Sequence, residues 1–264
     1  MTRHVSSADG TRIACDVLGD GDPLVLVGGM FCHRPATADL AAALAERFTV
    51  LNYDRRSRGD SEGGRAGSDA VQREVEDLAA LIELLGGRAS LYGHSSGAGL
   101  AFHAAAAGLP VDRLVLHEPP WGEDDPVSVA DAVALDADIR AALAEERRGD
   151  AIARFMQDAG LPDEVLEQMC GDPDMLAVAP SMAYDLAVMG ESDGGVVPVD
   201  LMSSVTVRTL VLAGGASPEF FRTTAERVAR LLPRGELALL EGHDHGAPAS
   251  AVAPVVAEFL DRPD

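Results

Sequence analysis

Short apolar runs alternate along the chain with longer stretches whose apolar residues recur at helical spacing. Residues 24–27 are uniformly apolar, as in a strand that is covered on both faces, whereas residues 69–85 repeat apolar positions every three or four residues and end at two glycines. The pattern predicts strands at 13–18, 24–27, 49–53, 88–92, 113–117, 209–213 and 236–240, and helices at 37–47, 69–85, 98–107, 219–232 and 249–260. This alternation is typical of an α/β fold with a mostly parallel, twisted sheet and helices on both faces.

The alternation stops between residues 121 and 204, after Pro119-Pro120. This stretch shows no convincing strand pattern, and its apolar spacing predicts helices at 128–146, 150–159 and 175–189. We therefore interpret residues 121–204 as a helical cap that is inserted into one core domain. The core would consist of residues 1–120 and 205–264.

Length, charge and cysteine content narrow the function classes. A chain of 264 residues suits one α/β domain with an insertion, and its formal charge of −22 disfavours nucleic acid and anionic membranes as partners. Three widely spaced cysteines argue against a disulfide framework or a zinc site, and no stretch approaches the ~20 apolar residues of a membrane span. We expect a soluble, cytoplasmic protein with a small-molecule substrate and without metal or cofactor. A homodimer is left open.

The strongest candidate for chemistry is the pentapeptide Gly-His-Ser-Ser-Gly at residues 93–97. It lies between a predicted strand and a predicted alanine-rich helix, which is the context of a nucleophile elbow. Gly93 and Gly97 leave room for the helix to fold back across the strand. Ser95 is therefore the candidate nucleophile, and the alternative interpretation is a simple N-cap serine.

Several motifs together resemble the α/β-hydrolase superfamily. Beside the pentapeptide, Gly28-Gly29-Met30 resembles its oxyanion loop, residues 53–61 resemble its Tyr-Asp-x-Arg-Gly-x-Gly-x-Ser loop, and residues 242–245 resemble its Gly-x-x-His after the last strand. The resemblance implies an α/β-hydrolase fold with the inserted cap. Two positions depart from the pattern, because Gly28 stands where a histidine is usual and Ser57 where a glycine is usual.

A serine nucleophile requires a base and two backbone N–H donors for the oxyanion. The resemblance makes His245 the base, three residues after a glycine, with His243 as the alternative. It makes the N–H groups of Ser96 and Met30 the oxyanion donors, with Gly29 N–H as a close competitor. The cluster at residues 243–245 could also ligate a metal, but the sequence offers no further ligand cluster.

The acid of the triad is the least ordinary prediction. The superfamily usually carries it after the strand here predicted at 209–213, where Ser217 stands and cannot stabilise an imidazolium. Glu118 ends the preceding strand, ~4.8 Å away, and its longer side chain recovers part of that distance. Glu118 is therefore the predicted acid, with Glu219 and Asp244 as rivals. The surrounding His-Glu-x-Pro is similar to that of the zearalenone lactone hydrolases.

These residues predict a serine hydrolase that cleaves an uncharged, largely apolar carboxylic ester or lactone through an acyl-enzyme. Two functions with the same triad stay open: a cofactor-free perhydrolase and a carbon–carbon bond hydrolase. A ligand-binding protein on a hydrolase scaffold also stays open. The residues that we assign to the pocket walls are Phe31, Cys32, Trp121, Tyr184 and Met189, with Met30 and Phe155 beside them.

Overall fold

The computed structural model describes residues 2–157 and 162–263. Its sheet has eight strands in the order β1-β2-β4-β3-β5-β6-β7-β8, and β3 to β8 pair in parallel while β1 and β2 are antiparallel. The strands are β1 Arg3–Ser6, β2 Arg12–Leu18, β3 Asp22–Val27, β4 Phe48–Tyr53, β5 Ala89–His94, β6 Val111–His117, β7 Arg208–Gly214 and β8 Gly235–Leu240.

Helices cover both faces of the sheet, as the apolar pattern predicts. The helices that pack on it are α1 Ala38–Leu44, α2 Ala70–Leu84, α3 Ser96–Ala106, α10 Glu219–Leu231 and α11 Ala249–Asp261. On β3, Leu24 and Leu26 belong to the apolar cluster that includes α1 and α11, whereas Val25 and Val27 belong to the cluster of α2, α3 and α10. Because neighbouring strand residues point to opposite faces, a uniformly apolar strand fills both clusters.

Between β6 and β7 the described chain forms helices, and its β-type pairing there is an isolated bridge between Gly122 and Val196. We call residues 121–157 and 162–204 the helical segment. Its helices are α4 Pro126–Ala144, α5 Arg148–Met156, α6 Asp163–Gly171, α7 Pro173–Val178, α8 Met182–Met189 and α9 Val199–Met202. The segment has an apolar cluster of its own, built on Ile139, Ile152, Met182 and Leu186. In the described residues, no helix is long and apolar enough to cross a membrane.

The structure differs from the sequence prediction in a few elements. Strand β1 and helices α6 and α9 were not predicted. The helix predicted at 175–189 is divided into α7, a short 3-10 helix and α8, because Pro180 stands where an unbroken helix would need its N–H. The helix predicted at 150–159 corresponds to α5, and residues 158 and 159 lie outside the described residues.

Candidate active site

Ser95 lies at a sharp turn between β5 and α3. Its backbone has φ 55° and ψ −126°, a strained conformation for a residue with a side chain. Helix and strand approach so closely here that a Cβ on Gly97 would lie 2.2 Å from the carbonyl oxygen of Val27, and one on Gly93 would lie 2.2 Å from that of Gly97. The two glycines thus allow the elbow, which presents Ser95 at the carboxyl edge of the sheet.

Glu118 and His245 form a hydrogen-bonded pair at the same edge. Nδ1 of His245 lies 2.5 Å from Oε2 of Glu118, while Oε1 of Glu118 accepts bonds from Gly214 N–H at 2.7 Å and from Ser217 Oγ at 2.5 Å. Burial alone would raise the pKa of Glu118, but these three hydrogen bonds outweigh it and hold the pKa below its ordinary value. The carboxylate is therefore ionised and oriented towards the imidazole.

Main-chain contacts bring Ser95 close to this pair. Ser95 N–H donates to the carbonyl oxygen of His117 at 2.9 Å, and His117 directly precedes Glu118. Nε2 of His94, the residue before Ser95, lies 3.0 Å from the carbonyl oxygen of His245. Three distant parts of the sequence, around residues 95, 118 and 245, thus lie at the same edge of the sheet.

The ring of His245 is held between two other rings. Its centroid lies 4.6 Å from that of His94 and 4.6 Å from that of Phe221, which stacks on it at an interplanar angle of 20°. Burial, and next the charge of His245, lower the pKa of His94 to about 4, so His94 is neutral near pH 7. Because a carbonyl only accepts, the neutral ring carries its proton on Nε2.

The loop that would supply the second oxyanion donor lies directly against Ser95. A Cβ on Gly29 would lie 3.0 Å from Cβ of Ser95, a tighter contact than side chains usually make. The next residues turn sharply, since Phe31 has φ 63°. The carbonyl oxygen of Gly29 accepts a hydrogen bond from Nη1 of Arg58 at 2.6 Å, and that of Gly28 accepts one from Nη1 of Arg55 at 3.2 Å.

Four buried charged side chains support this loop. Arg55 binds Glu74 through two hydrogen bonds of 2.7 Å, and Asp185 receives bonds of 2.6 Å from both Arg55 and Arg58. All four are between 0 and 2% exposed. Burial alone would raise the pKa of Asp185, but the two guanidinium groups outweigh it and hold the pKa below its ordinary value. We call Arg55, Arg58, Glu74 and Asp185 the buried charge network.

The comparison with known proteins settles the family. Residues 24–258 match the pattern described as "Alpha/beta hydrolase family". The chain belongs to the α/β-hydrolase family. It is 43% identical to an α/β-hydrolase of known structure from Sphaerobacter thermophilus DSM 20745, with a TM-score of 0.85 over 98% of this chain and 100% of that chain.

Curated relatives match over a smaller part of the chain. A soluble epoxide hydrolase of Corynebacterium sp. (strain C12) is 34% identical over 40% of this chain and 37% of its own length. An N-formylmaleamate deformylase of Pseudomonas putida is 37% identical over 39% of this chain and 39% of its own length. The matched region of this α/β-hydrolase therefore spans less than half of these relatives.

The rivals for the base and the acid lie in the loop after β8 or at the start of α10. The carbonyl oxygen of His243 accepts a hydrogen bond from Ala216 N–H at 2.9 Å. Asp244 is exposed and its carboxylate accepts a bond from Gly246 N–H at 3.0 Å, while Glu219 is exposed at the start of α10. In the described residues, no group of three or more His, Cys, Asp and Glu side chains is placed to hold a metal ion.

The structure corrects part of the predicted pocket. Trp121 is 1% exposed and packs edge-on against Phe102 in the sheet core, so it stabilises the core instead of lining a pocket. Tyr184 and Met189 are also buried: Tyr184 lies against the guanidinium of Arg56, and Met189 belongs to the apolar cluster of the helical segment. Of the five predicted walls, Phe31 and Cys32 remain partly exposed.

Sequence reasoning missed the buried charge network and the aromatic contact of Phe221. Arg55 and Arg58 stand in the loop that resembles a superfamily motif, and this position could have indicated that they belong to the site. The partner Asp185 has no local signal, because it lies 127 residues beyond Arg58 in a helix whose other residues are apolar.

Proposed function

We propose that this α/β-hydrolase cleaves an uncharged, largely apolar carboxylic ester or lactone through an acyl-enzyme on Ser95. The observation that carries the proposal is the hydrogen-bonded pair of His245 and a buried, ionised Glu118 beside the strained elbow. A serine at the elbow can form an ester intermediate with the substrate. The pair of His245 and Glu118 would activate this serine by taking its proton.

In the proposed mechanism, Nε2 of His245 takes the proton of Ser95 as Oγ attacks the carbonyl carbon. The N–H groups of Ser96 and Met30 stabilise the oxyanion, with Gly29 N–H as the competitor for the second position. The imidazolium then gives its proton to the leaving alkoxide, and water repeats the same steps to release the acid. Glu118 stabilises the imidazolium and holds its ring without taking the proton itself.

The surroundings of the oxyanion loop support the apolar substrate class. Met30 and Phe31 pack against the apolar cluster of the helical segment, and the ring of Phe31 meets that of Phe155 edge-on at 5.9 Å. Burial raises the pKa of the Cys32 thiol, so this side chain is neutral near pH 7. Together with the strongly negative net charge, these neighbours favour a substrate without an anionic group.

A test combines substrate turnover with covalent labelling. The wild-type protein should hydrolyse p-nitrophenyl esters or macrocyclic lactones, and a fluorophosphonate should label Ser95, as identified by peptide mass spectrometry. Ser95→Ala should lower kcat by several orders of magnitude, on the order of 10⁶ in comparable enzymes, without changing the melting temperature by more than a few degrees. Retention of a tenth of the activity would contradict the mechanism, and a protein that binds esters without turnover would point to a ligand-binding function.

A further inference from the structure

The peptide group between Gly29 and Met30 is fixed through its carbonyl oxygen. Its carbonyl oxygen accepts two hydrogen bonds, from Nη1 of Arg58 at 2.6 Å and from Cys32 N–H at 3.2 Å. Because the carbonyl and the N–H of a trans peptide point in opposite directions, these bonds direct Met30 N–H away from Arg58. The orientation of the proposed second oxyanion donor thus depends on where Arg58 lies.

The helical segment fixes Arg58 in that place. Its Nη2 donates to Oδ2 of Asp185 at 2.6 Å, and its Nε donates to Oγ of Ser181 at 3.0 Å. Both acceptors belong to the helical segment, and Ser181 is itself fixed by a bond to the carbonyl oxygen of Val178 at 2.7 Å. The guanidinium fork therefore spans from the helical segment to the oxyanion loop.

Asp185 also contacts the first proposed oxyanion donor. Its Oδ1 accepts a hydrogen bond from Oγ of Ser96 at 2.6 Å, and Ser96 supplies the N–H that follows the nucleophile. One carboxylate of the helical segment thus supports both halves of the oxyanion hole: Ser96 directly, and the Gly29–Met30 peptide through Arg58. The superfamily's histidine is absent at Gly28, so the loop lacks that internal support.

We propose that Asp185 and Arg58 are positioning residues that hold the oxyanion hole in its working orientation. The inference rests on the proposed function, because it takes Met30 N–H as an oxyanion donor. Removal of Arg58 takes from the Gly29 carbonyl its shorter hydrogen bond and from Asp185 one of its partners. Removal of Asp185 leaves Arg58 without the carboxylate that fixes its guanidinium. A rotated peptide would turn a carbonyl oxygen towards the developing negative charge, which raises the barrier of the acylation step.

The test compares Arg58→Met with a matched control, Arg56→Met. Arg56 is also buried, and it forms bonds of 2.7 and 2.6 Å to Asp77 and one of 3.2 Å to the carbonyl oxygen of Arg73. These contacts do not involve the carbonyl groups of Gly28 and Gly29. Both variants lose a buried ion pair, so we expect both to unfold at a lower temperature.

Three quantities separate a positioning role from a loss of stability: kcat, KM and the inhibition constant of an alkylboronic acid. Active sites are titrated with a fluorophosphonate, so that kcat for a p-nitrophenyl ester can be expressed per titrated site. The inhibition constant of the alkylboronic acid reports on the tetrahedral adduct. Arg58→Met should lower kcat by about 10²–10³-fold and weaken the boronic acid by a similar factor, with KM changed by less than about threefold. Arg56→Met should keep kcat and the inhibition constant within about threefold.

Asp185→Asn provides a second variant of similar shape should Arg58→Met be too unstable to purify. It should lower kcat per site in the same way, and the double variant should lose less than the product of the single losses, because both residues act on the same peptide. Unchanged kcat per site and unchanged boronic acid affinity in the single variants would overturn the proposal.

A crystal structure of Arg58→Met keeps this test separate from the proposed function. If the wild-type protein hydrolyses no ester or lactone, the proposed function fails, whereas the orientation of the Gly29–Met30 peptide can still be observed. A rotated or mobile peptide supports the positioning role, and an unchanged peptide overturns it.

Discussion

The two sides of the candidate active site are built from different parts of the chain. On the acid–base side, Glu118 and His245 are held by the ends of the sheet strands, through Gly214 N–H and Ser217. On the oxyanion side, the loop is held by arginines whose partner Asp185 lies in the helical segment. The acid–base side therefore depends on the sheet and on the loops and helix α10 that follow its strands, while the oxyanion side depends on contacts between the sheet and the helical segment.

The largest effect expected on the acid–base side is that of His245→Ala. Loss of the base should lower kcat/KM on a p-nitrophenyl ester by about 10⁵–10⁶-fold, close to the effect of losing the nucleophile itself. His243→Ala serves as the control and should stay within about threefold, because its main-chain contact with Ala216 survives the change. The reverse order would move the role of base to His243.

The next effect is that of Glu118→Gln, which keeps the shape of the side chain but removes its charge. The imidazolium would lose its partner at 2.5 Å, so kcat should decrease by about 10²–10⁴-fold with little change in KM. Ser217→Ala removes only one of the bonds that Glu118 accepts, and it should cost less than tenfold. Near-normal kcat in Glu118→Gln, with a loss in Glu219→Gln or Asp244→Asn, would contradict the assignment.

Ser217→Asp is a sharper variant of the same experiment. In the wild-type background it places a second carboxylate beside Glu118, where Ser217 Oγ now lies 2.5 Å from Oε1, and it should lower the melting temperature. In the Glu118→Gln background the same change supplies a negative charge near the imidazole and should restore part of kcat. If adding Ser217→Asp to Glu118→Gln leaves kcat unchanged or lowers it further, this position does not serve as an acid site.

The smallest effect concerns the histidines between the two sides. In the folded protein the pKa of His94 is lowered to about 4, whereas its ordinary value, which applies to the unfolded chain, is 6.5. Between these two pH values the unfolded chain therefore binds a proton that the folded protein does not. Stability therefore falls as pH decreases from 6.5 to 4, by about 2 kcal/mol at pH 5. His94→Gln keeps a donor for the His245 carbonyl and should reduce the loss of melting temperature between pH 7 and 5. The exposed control His4→Gln should leave that loss unchanged.

The sequence indicates that Glu118 and His245 lie near each other, as their hydrogen bond shows, but it does not indicate which residues support the oxyanion loop. The difference has a physical reason. The elbow and Glu118 are read from residues that are adjacent in sequence or lie on neighbouring parallel strands, where the strand ends must meet. Asp185 contacts Arg58 only after the helical segment has packed, and a lone carboxylate in an apolar helix has no pattern that names its partner.

The same limit explains the errors elsewhere in the fold. Trp121 was assigned to the pocket because the sequence alone does not distinguish an aromatic residue in a pocket wall from one in a core. The distinction needs the packing of Trp121 against Phe102, which only the structure shows. Strand β1 escaped prediction because it is a four-residue edge strand whose residues are mostly exposed. The fold class, by contrast, depends on the repeated strand–helix rhythm, which is spread over the whole chain.

The buried charge network also constrains how this scaffold can be recombined. Exchange of the helical segment for that of a relative is a natural way to seek a new specificity, but it would remove Asp185 and leave Arg55 and Arg58 facing an apolar graft. Grafts that keep an acidic residue at position 185 should fold, and grafts without one should need both arginines replaced at the same time. Residues 55, 58 and 185 therefore have to be exchanged together, although they lie far apart in the sequence.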